Sequence, residues 1–247
     1  MPAGSYRSSY DDNSFEIFLE GWLIRQEQFL DELLVAQDIF YEESQEGDIR
    51  DLISKVLAHY EEYYEEKSIM SHRNVFRVFS STWFTTLERT FLWITGFKPG
   101  LAFTLVNDSI NDLTENQVQR INRLRHKTKV QERCLTEELA KIQESVAAPP
   151  LVERARRVGM QLLQTDGITV QITNEDENID TLKSAMENVV TDADRLRTKT
   201  AERVVGLLSP LQSLRFLTAA AQLQLRIRMM GMQREAERQQ NDDSSPH

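Results

Sequence analysis

Residues Ser80 to Val106 read SSTWFTTLERTFLWITGFKPGLAFTLV, and this stretch holds two of the three tryptophans and four of the eleven phenylalanines. Thr85 and Glu88 stand at the S/T-x-x-E spacing of a capping box. In that device the threonine hydroxyl accepts from the N–H of the glutamate, whose carboxylate accepts from the N–H of the threonine. Leu87, Phe91 and Ile94 then recur on one helical face. Gly96 stands where a left-handed cap is needed, and Pro99 stops continuation. The spacing predicts a short helix, apolar on more than one side, and such a helix belongs inside other helices.

Outward from this block the chain keeps the same character. Its 247 residues suffice for a sizeable core. Nine glycines and six prolines are few for a turn-rich β fold and favour long helices. A helix is predicted from about Ser14 to Tyr41, with Phe15, Phe18, Leu19, Trp22, Phe29, Leu30 and Leu33 as its stripe. An acidic loop, Glu42 to Asp48, leads to a second helix carrying Ile49, Leu52, Ile53, Val56, Leu57 and Tyr60, which ends in a Tyr- and Glu-rich run closing at Lys67. After Pro99 a short helix carries Leu101, Phe103 and Leu105. Thr114 and Gln117 form a second capping box and start a long helix that Pro149 and Pro150 stop. Another helix is expected from Arg154 to Leu163, then a loop from Thr165 to Asp180 that includes the acidic run at 174–178. Helices follow from about Asp180 to Leu208 and from Pro210 to Gln239, with Ser209 as cap and Pro210 in the first turn.

The expected fold class is therefore all-α, a multi-helix bundle with long antiparallel helices and no significant sheet. Residues 14–237 form one helical domain, with a subdivision possible near 165–180. Residues 1–13 and 238–247 are polar and read as disordered ends.

Few function classes survive. Net charge is −10, the wrong sign for a protein that grips nucleic-acid phosphates. The local basic stretches, Arg120, Arg123, Arg125, Lys127 and Lys129, then Arg154, Arg156 and Arg157, read first as solvated helix faces and second as a dock for an acidic partner. No signal-peptide pattern and no apolar run near the ~20 residues of a membrane span occur. The single cysteine, Cys134, forms no internal disulfide and reads as a passive residue in a charged helix. No nucleophile elbow, P-loop or dinucleotide fingerprint is present, so no catalytic residue is assigned. His59, Glu62 and Glu66 share a helical face, where a solvated surface outweighs a metal site. The rings of Trp83, Phe84, Phe91, Trp93, Phe97 and Phe103 read as core first and as the lining of a ligand pocket second.

The central block also resembles a known family. W-x-T-x-x-E-R-x-F-L-W-I-x-G-F-[KR]-P is the signature of the Delay of Germination domain of plant seed-dormancy regulators, shared with TGA-type bZIP transcription factors. Trp83, Thr85, Glu88, Arg89, Phe91, Leu92, Trp93, Ile94, Gly96, Phe97, Lys98 and Pro99 fit it. Phe15 to Gln26, containing Trp22, is similar to the opening of that domain. Ala193, Asp194, Leu196, Arg197 and Thr200, then Leu208, Ser209, Pro210 and Gln212, also resemble family motifs. The likeness extends from about Phe15 to Gly231.

The resemblance implies a non-enzymatic regulator that works through other proteins in seed dormancy, maturation or germination, in the nucleus or cytoplasm or both. It implies a type 2C protein phosphatase or a bZIP factor as partner, and a homo- or hetero-dimer. A second expectation is a transcriptional cofactor of bZIP factors. Only a dozen polar residues precede Phe15, so direct DNA binding is not expected. A third is a sensor of a hydrophobic ligand or haem. The family's haem-linked His-x3-His aligns with Gln224 and Arg228, neither an ordinary axial ligand, so no cofactor is assigned.

Overall fold

The computed structural model describes residues 14–39, 46–146 and 175–243. Among these lie seven helices and one two-stranded ribbon: α1 (Ser14–Ile39), α2 (Glu46–Ser80), α3 (Thr86–Thr90), β1 (Leu92–Trp93), β2 (Gly96–Phe97), α4 (Leu101–Ser109), α5 (Glu115–Val146), α6 (Glu175–Val205) and α7 (Pro210–Asp243). The all-α class holds, the ribbon being the whole of the sheet described.

Three apolar clusters run through the bundle. Leu33 near the end of α1 meets Ile49, Ile53 and Val56 near the start of α2, while Phe15, Leu19 and Trp22 meet Met70, Val75 and Val78 at its far end. Helices α1 and α2 are therefore antiparallel. The same logic applies to α5 and α6. Ile121 and Leu124 share a cluster with Val204, whereas Leu135 packs with Val189, Ala193 and Leu196. Helix α7 packs against α1, α2, α3 and α4 and so ties the bundle together.

Helix α2 does not end at the Tyr-rich run but continues to Ser80. One residue, Asn74, leaves helical geometry at φ −154° and ψ 87°. Its side-chain oxygen accepts from the N–H of Arg77 at 3.2 Å, so Asn74 caps the turns that follow the break.

The central block departs most from expectation. The capping box forms, but α3 stops at Thr90. Phe91 to Phe97 is a hairpin, with Leu92 paired to Phe97 and Trp93 to Gly96. Ile94 and Thr95 occupy the turn at φ 43° and 60°. Gly96 is thus a strand residue, not a helix cap. Phe91 is 49% exposed, so the six rings do not form one buried cluster. Phe103 is buried in the core, Trp83 packs on Phe15 at 4.9 Å, and Trp93 is half-buried.

Two helix bounds also shift. Helix α6 begins at Glu175, so most of the acidic run at 174–178 is helical rather than loop. Helix α7 reaches Asp243, inside the tail read as disordered. The second capping box is present, with the Thr114 N–H donating to Gln117 Oε1 at 2.9 Å and the Gln117 N–H to Thr114 Oγ1 at 3.3 Å. A third opens α7, with the Ser209 N–H donating to Gln212 Oε1 and the Gln212 N–H to Ser209 Oγ. The expected helix at 154–163, the Pro149–Pro150 stop and residues 1–13 lie outside the described residues.

Candidate functional site

The signature residues resolve into three local constructions. The first holds the hairpin. Helical periodicity carries the inward stripe of α2 through Ile49, Ile53, Val56 and on to Lys67, which is only 1% exposed. From α6 the same periodicity points Asp194 and Arg197 inward. The Lys67 ammonium donates to Asp194 Oδ1 at 3.0 Å and to the carbonyl of Thr95 at 2.9 Å. Arg197 donates to the same Asp194 oxygen, to the carbonyls of Trp93 and Ile94, and to that of Phe97 at 2.7 Å. Two cations thus bind four carbonyls of one turn and share one carboxylate. β-Branched side chains at positive φ cost about 1–3 kcal/mol each and persist only where their surroundings over-determine them. The Lys67–Asp194–Arg197 cluster supplies that constraint. Gly96 allows it, because a Cβ there would lie 2.9 Å from Arg197 Cζ. The guanidinium also sits 5.4 Å from the centre of the Trp93 ring, whose Nε1–H donates to Thr136. Burial lowers the Lys67 pKa to about 8, against the opposing pull of Asp194.

The second construction docks α3 onto α7. The Glu88 N–H donates to Thr85 Oγ1 at 3.2 Å, and the Thr85 N–H to Glu88 Oε2 at 2.7 Å. Arg228 of α7 lies 3.3 Å from the same carboxylate. Gly231 of α7 is pressed against the capping residue, since a Cβ there would fall 2.7 Å from Thr85 Cβ. Thr85→Ala should lower stability by about 0.5–2 kcal/mol, the ordinary worth of such a cap. Gly231→Ala should cost about 1–3 kcal/mol, as overpacking does, because α7 must move off α3. Urea titration of each variant reads both values; a Gly231→Ala protein with an unchanged midpoint would mean that α3 and α7 are not in contact. Arg89 is exposed and donates to Thr86, and Pro210 opens α7 half-buried. Leu196 is core.

The third is built around Trp22. Its ring stacks on His59 at 4.3 Å and 7°, and its Nε1–H donates to the carbonyl of His59 at 2.8 Å. His59 therefore faces inward, while Glu62 turns outward to Arg25 at 2.8 Å. Among the described residues no group of three His, Cys, Asp or Glu side chains is placed to hold a metal ion. Burial, then the charge of Arg25, lowers the His59 pKa to about 4. The unfolded chain takes up this proton near pH 6.5, whereas the native state resists it until about pH 4. The contribution of neutral His59 is therefore complete above pH 6.5 and is lost as pH drops towards 4, by up to about 3 kcal/mol. Comparing the pH 7 and pH 5 melting of the parent with His59→Phe should show a smaller acid loss in the variant.

Between these constructions lies an apolar cavity of about 240 Å³, bounded by α2, the hairpin, α4, α6 and α7. Leu57, Leu101, Phe216, Leu217 and Leu223 form much of its wall, and Tyr60, Arg197 and Gln224 supply polar edges. Burial pushes the Tyr60 phenol up to about 12 and raises those of Tyr63 and Tyr64 further, so all three stay neutral, and the Tyr60 hydroxyl accepts from Gln26. Gln224 accepts from Gln26 at 3.2 Å, and Arg228 faces Glu88. An amide and a guanidinium in these settings do not fit the ligand set of haem iron.

Lys67 is the principal site residue that the sequence reading left without a role. The signal was the unbroken stripe of α2: a lysine in register with buried positions requires a buried partner. Glu132 was missed likewise; it accepts from the Gly100 N–H at 2.6 Å and fixes the start of α4.

A family model described as seed dormancy control, DOG1, matches residues 30–108, the span that contains the hairpin and its lysine. Protein RESPONSE TO ABA AND SALT 1 of Arabidopsis thaliana is 37% identical over 224 residues, covering 87% of this chain and 94% of that protein. The chain belongs to the DOG1 family. Protein ZW2 of the same plant is 37% identical over 225 residues, covering 89% of this chain and 96% of the relative. Transcription factor TGA10, also from Arabidopsis thaliana, is 28% identical over 234 residues, which span 90% of this chain and 47% of the factor. The DOG1 family is regulatory, and the relatives matched are plant proteins that include transcription factors. Among the described residues no helix is long and apolar enough to cross a membrane.

Proposed function

We propose that this chain is a non-enzymatic regulator of seed dormancy, maturation or germination that acts by binding other proteins, in the nucleus, the cytoplasm or both. One observation carries this reading: the charged signature residues Asp194 and Arg197, with Lys67, hold a strained hairpin. Such residues build a scaffold, and a scaffold acts through its exterior. The relatedness to TGA factors supports a bZIP factor as one candidate partner; a type 2C protein phosphatase is the candidate that the family resemblance implies. The test is co-migration of the purified chain with each in size-exclusion chromatography. A stable complex with at least one supports the proposal; a chain that elutes alone in both mixtures overturns it.

The apolar cavity favours a second reading, a sensor of a hydrophobic ligand. Native mass spectrometry of the purified protein should then show a lipid-sized adduct that is lost when Ala220→Phe fills the cavity. A bare chain after incubation with fatty acids counts against it.

A further inference from the structure

Outside these constructions, Arg120, Arg123 and Lys127 of α5 and Arg203 of α6 line one open depression. The first three recur at i, i+3 and i+7, so one face of α5 presents them over two turns, roughly 10 Å. Arg203 approaches from the end of α6, where the antiparallel pairing brings the two helices together. Leu124 and Leu207 lie between the cations as an apolar floor. All four cations are exposed, and none has a hydrogen bond or ion pair among the described residues. Other cations of this acidic protein are matched, Arg25 with Glu62, Arg77 with Glu16 and Arg215 with Asp112 among them. Here one carboxylate, Glu202, accompanies four positive charges.

We propose that this depression binds a compact polyanion, a small molecule bearing several phosphates. The groups present suit that chemistry. Guanidinium forks take phosphate oxygens two at a time, and three of the four cations are arginines. Their mutual repulsion is unrelieved in the free protein, and one multivalent anion relieves all of it at once. Three cations lie on α5 and one on α6 around a single depression, so one compact ligand can reach all four at once. Nucleic acid is disfavoured, because four cations on a chain of net charge −10 are too few to hold a long phosphate backbone.

Calorimetric titration of the full chain with inositol hexakisphosphate tests the proposal. Binding should weaken as salt is raised. Arg123→Gln with Arg203→Gln should weaken it by about tenfold or more, since each removes a charge-assisted hydrogen bond. Arg125→Gln with Lys129→Gln removes the same charge from α5 outside the depression and should leave affinity within about twofold. All four positions are exposed, so circular dichroism melting should show both double variants folded. Equal weakening by the two pairs would reduce the effect to diffuse electrostatics and overturn the site. So would the absence of binding. A doubly phosphorylated peptide that binds the quartet more tightly than the inositol phosphate would overturn the small-molecule assignment in favour of a protein partner.

Discussion

Asp194→Ala should remove about 3–5 kcal/mol of stability, the loss expected when one side of a buried ion pair is deleted. The carboxylate is shared by Lys67 and Arg197, which are almost wholly buried. Without it two cations face each other in a poorly solvated interior. Lys67 escapes part of the penalty by losing its proton, a step already favoured by its burial. Arg197 has no such escape, because guanidinium does not deprotonate in proteins. The damage should extend to the hairpin. Lys67 and Arg197 bind the carbonyls of Trp93, Ile94, Thr95 and Phe97, and those bonds hold Ile94 and Thr95 at positive φ. Near-ultraviolet circular dichroism from Trp93 should therefore weaken even in the fraction that stays folded. Asp194→Asn, which keeps one acceptor, should fall between the parent and the alanine variant. An Asp194→Ala protein with the parent's urea midpoint and tryptophan spectrum would show that the cluster does not hold the turn.

The same hairpin marks the limit of what the chain discloses from local pattern. The long helices were legible because each buries one face at the helical period: Ile121, Leu124 and Leu135 of α5, Val189, Ala193 and Leu196 of α6. The capping boxes were legible because both partners lie within four residues. The end of α3 was not. Type I′ turns favour Asn-Gly, and Ile-Thr is among the poorer pairs for positive φ. Local preference therefore reads Phe91 to Ile94 as helix. What overrides it is a lysine 28 positions earlier than Thr95 and an arginine 103 positions later than Ile94. No window of local sequence contains that constraint. The family resemblance picked out Asp194 and Arg197 as a pattern but not as a clamp, and it left Lys67 without a role. Phe91 was misplaced for the same reason, since a hairpin turns outward a ring that a helix would have turned in.

Trp22→Ala should cost about 3–5 kcal/mol, as deletion of a fully buried indole does. The side chain is 1% exposed and lies between α1 and α2, against His59, Tyr60 and Tyr63. Its indole N–H donates to the His59 carbonyl, so Trp22→Phe should lose about 1 kcal/mol while keeping most of the packing. This ordering bears on function. The resemblance places Trp22 in the opening of the family domain, yet the ring is turned wholly inward. A partner cannot touch it in the folded chain. Any loss of partner binding in Trp22→Ala should therefore follow the unfolded fraction, and binding by Trp22→Phe should match the parent at temperatures where both are folded. Ile17 and Ile24, two turns apart, are exposed on the other face of α1. Ile24→Asp should leave the melting temperature within a few degrees of the parent, as surface changes do. If Trp22→Phe abolishes phosphatase binding while folded and Ile24→Asp does not, α1 must open to present its inner face, and the scaffold reading fails at that helix.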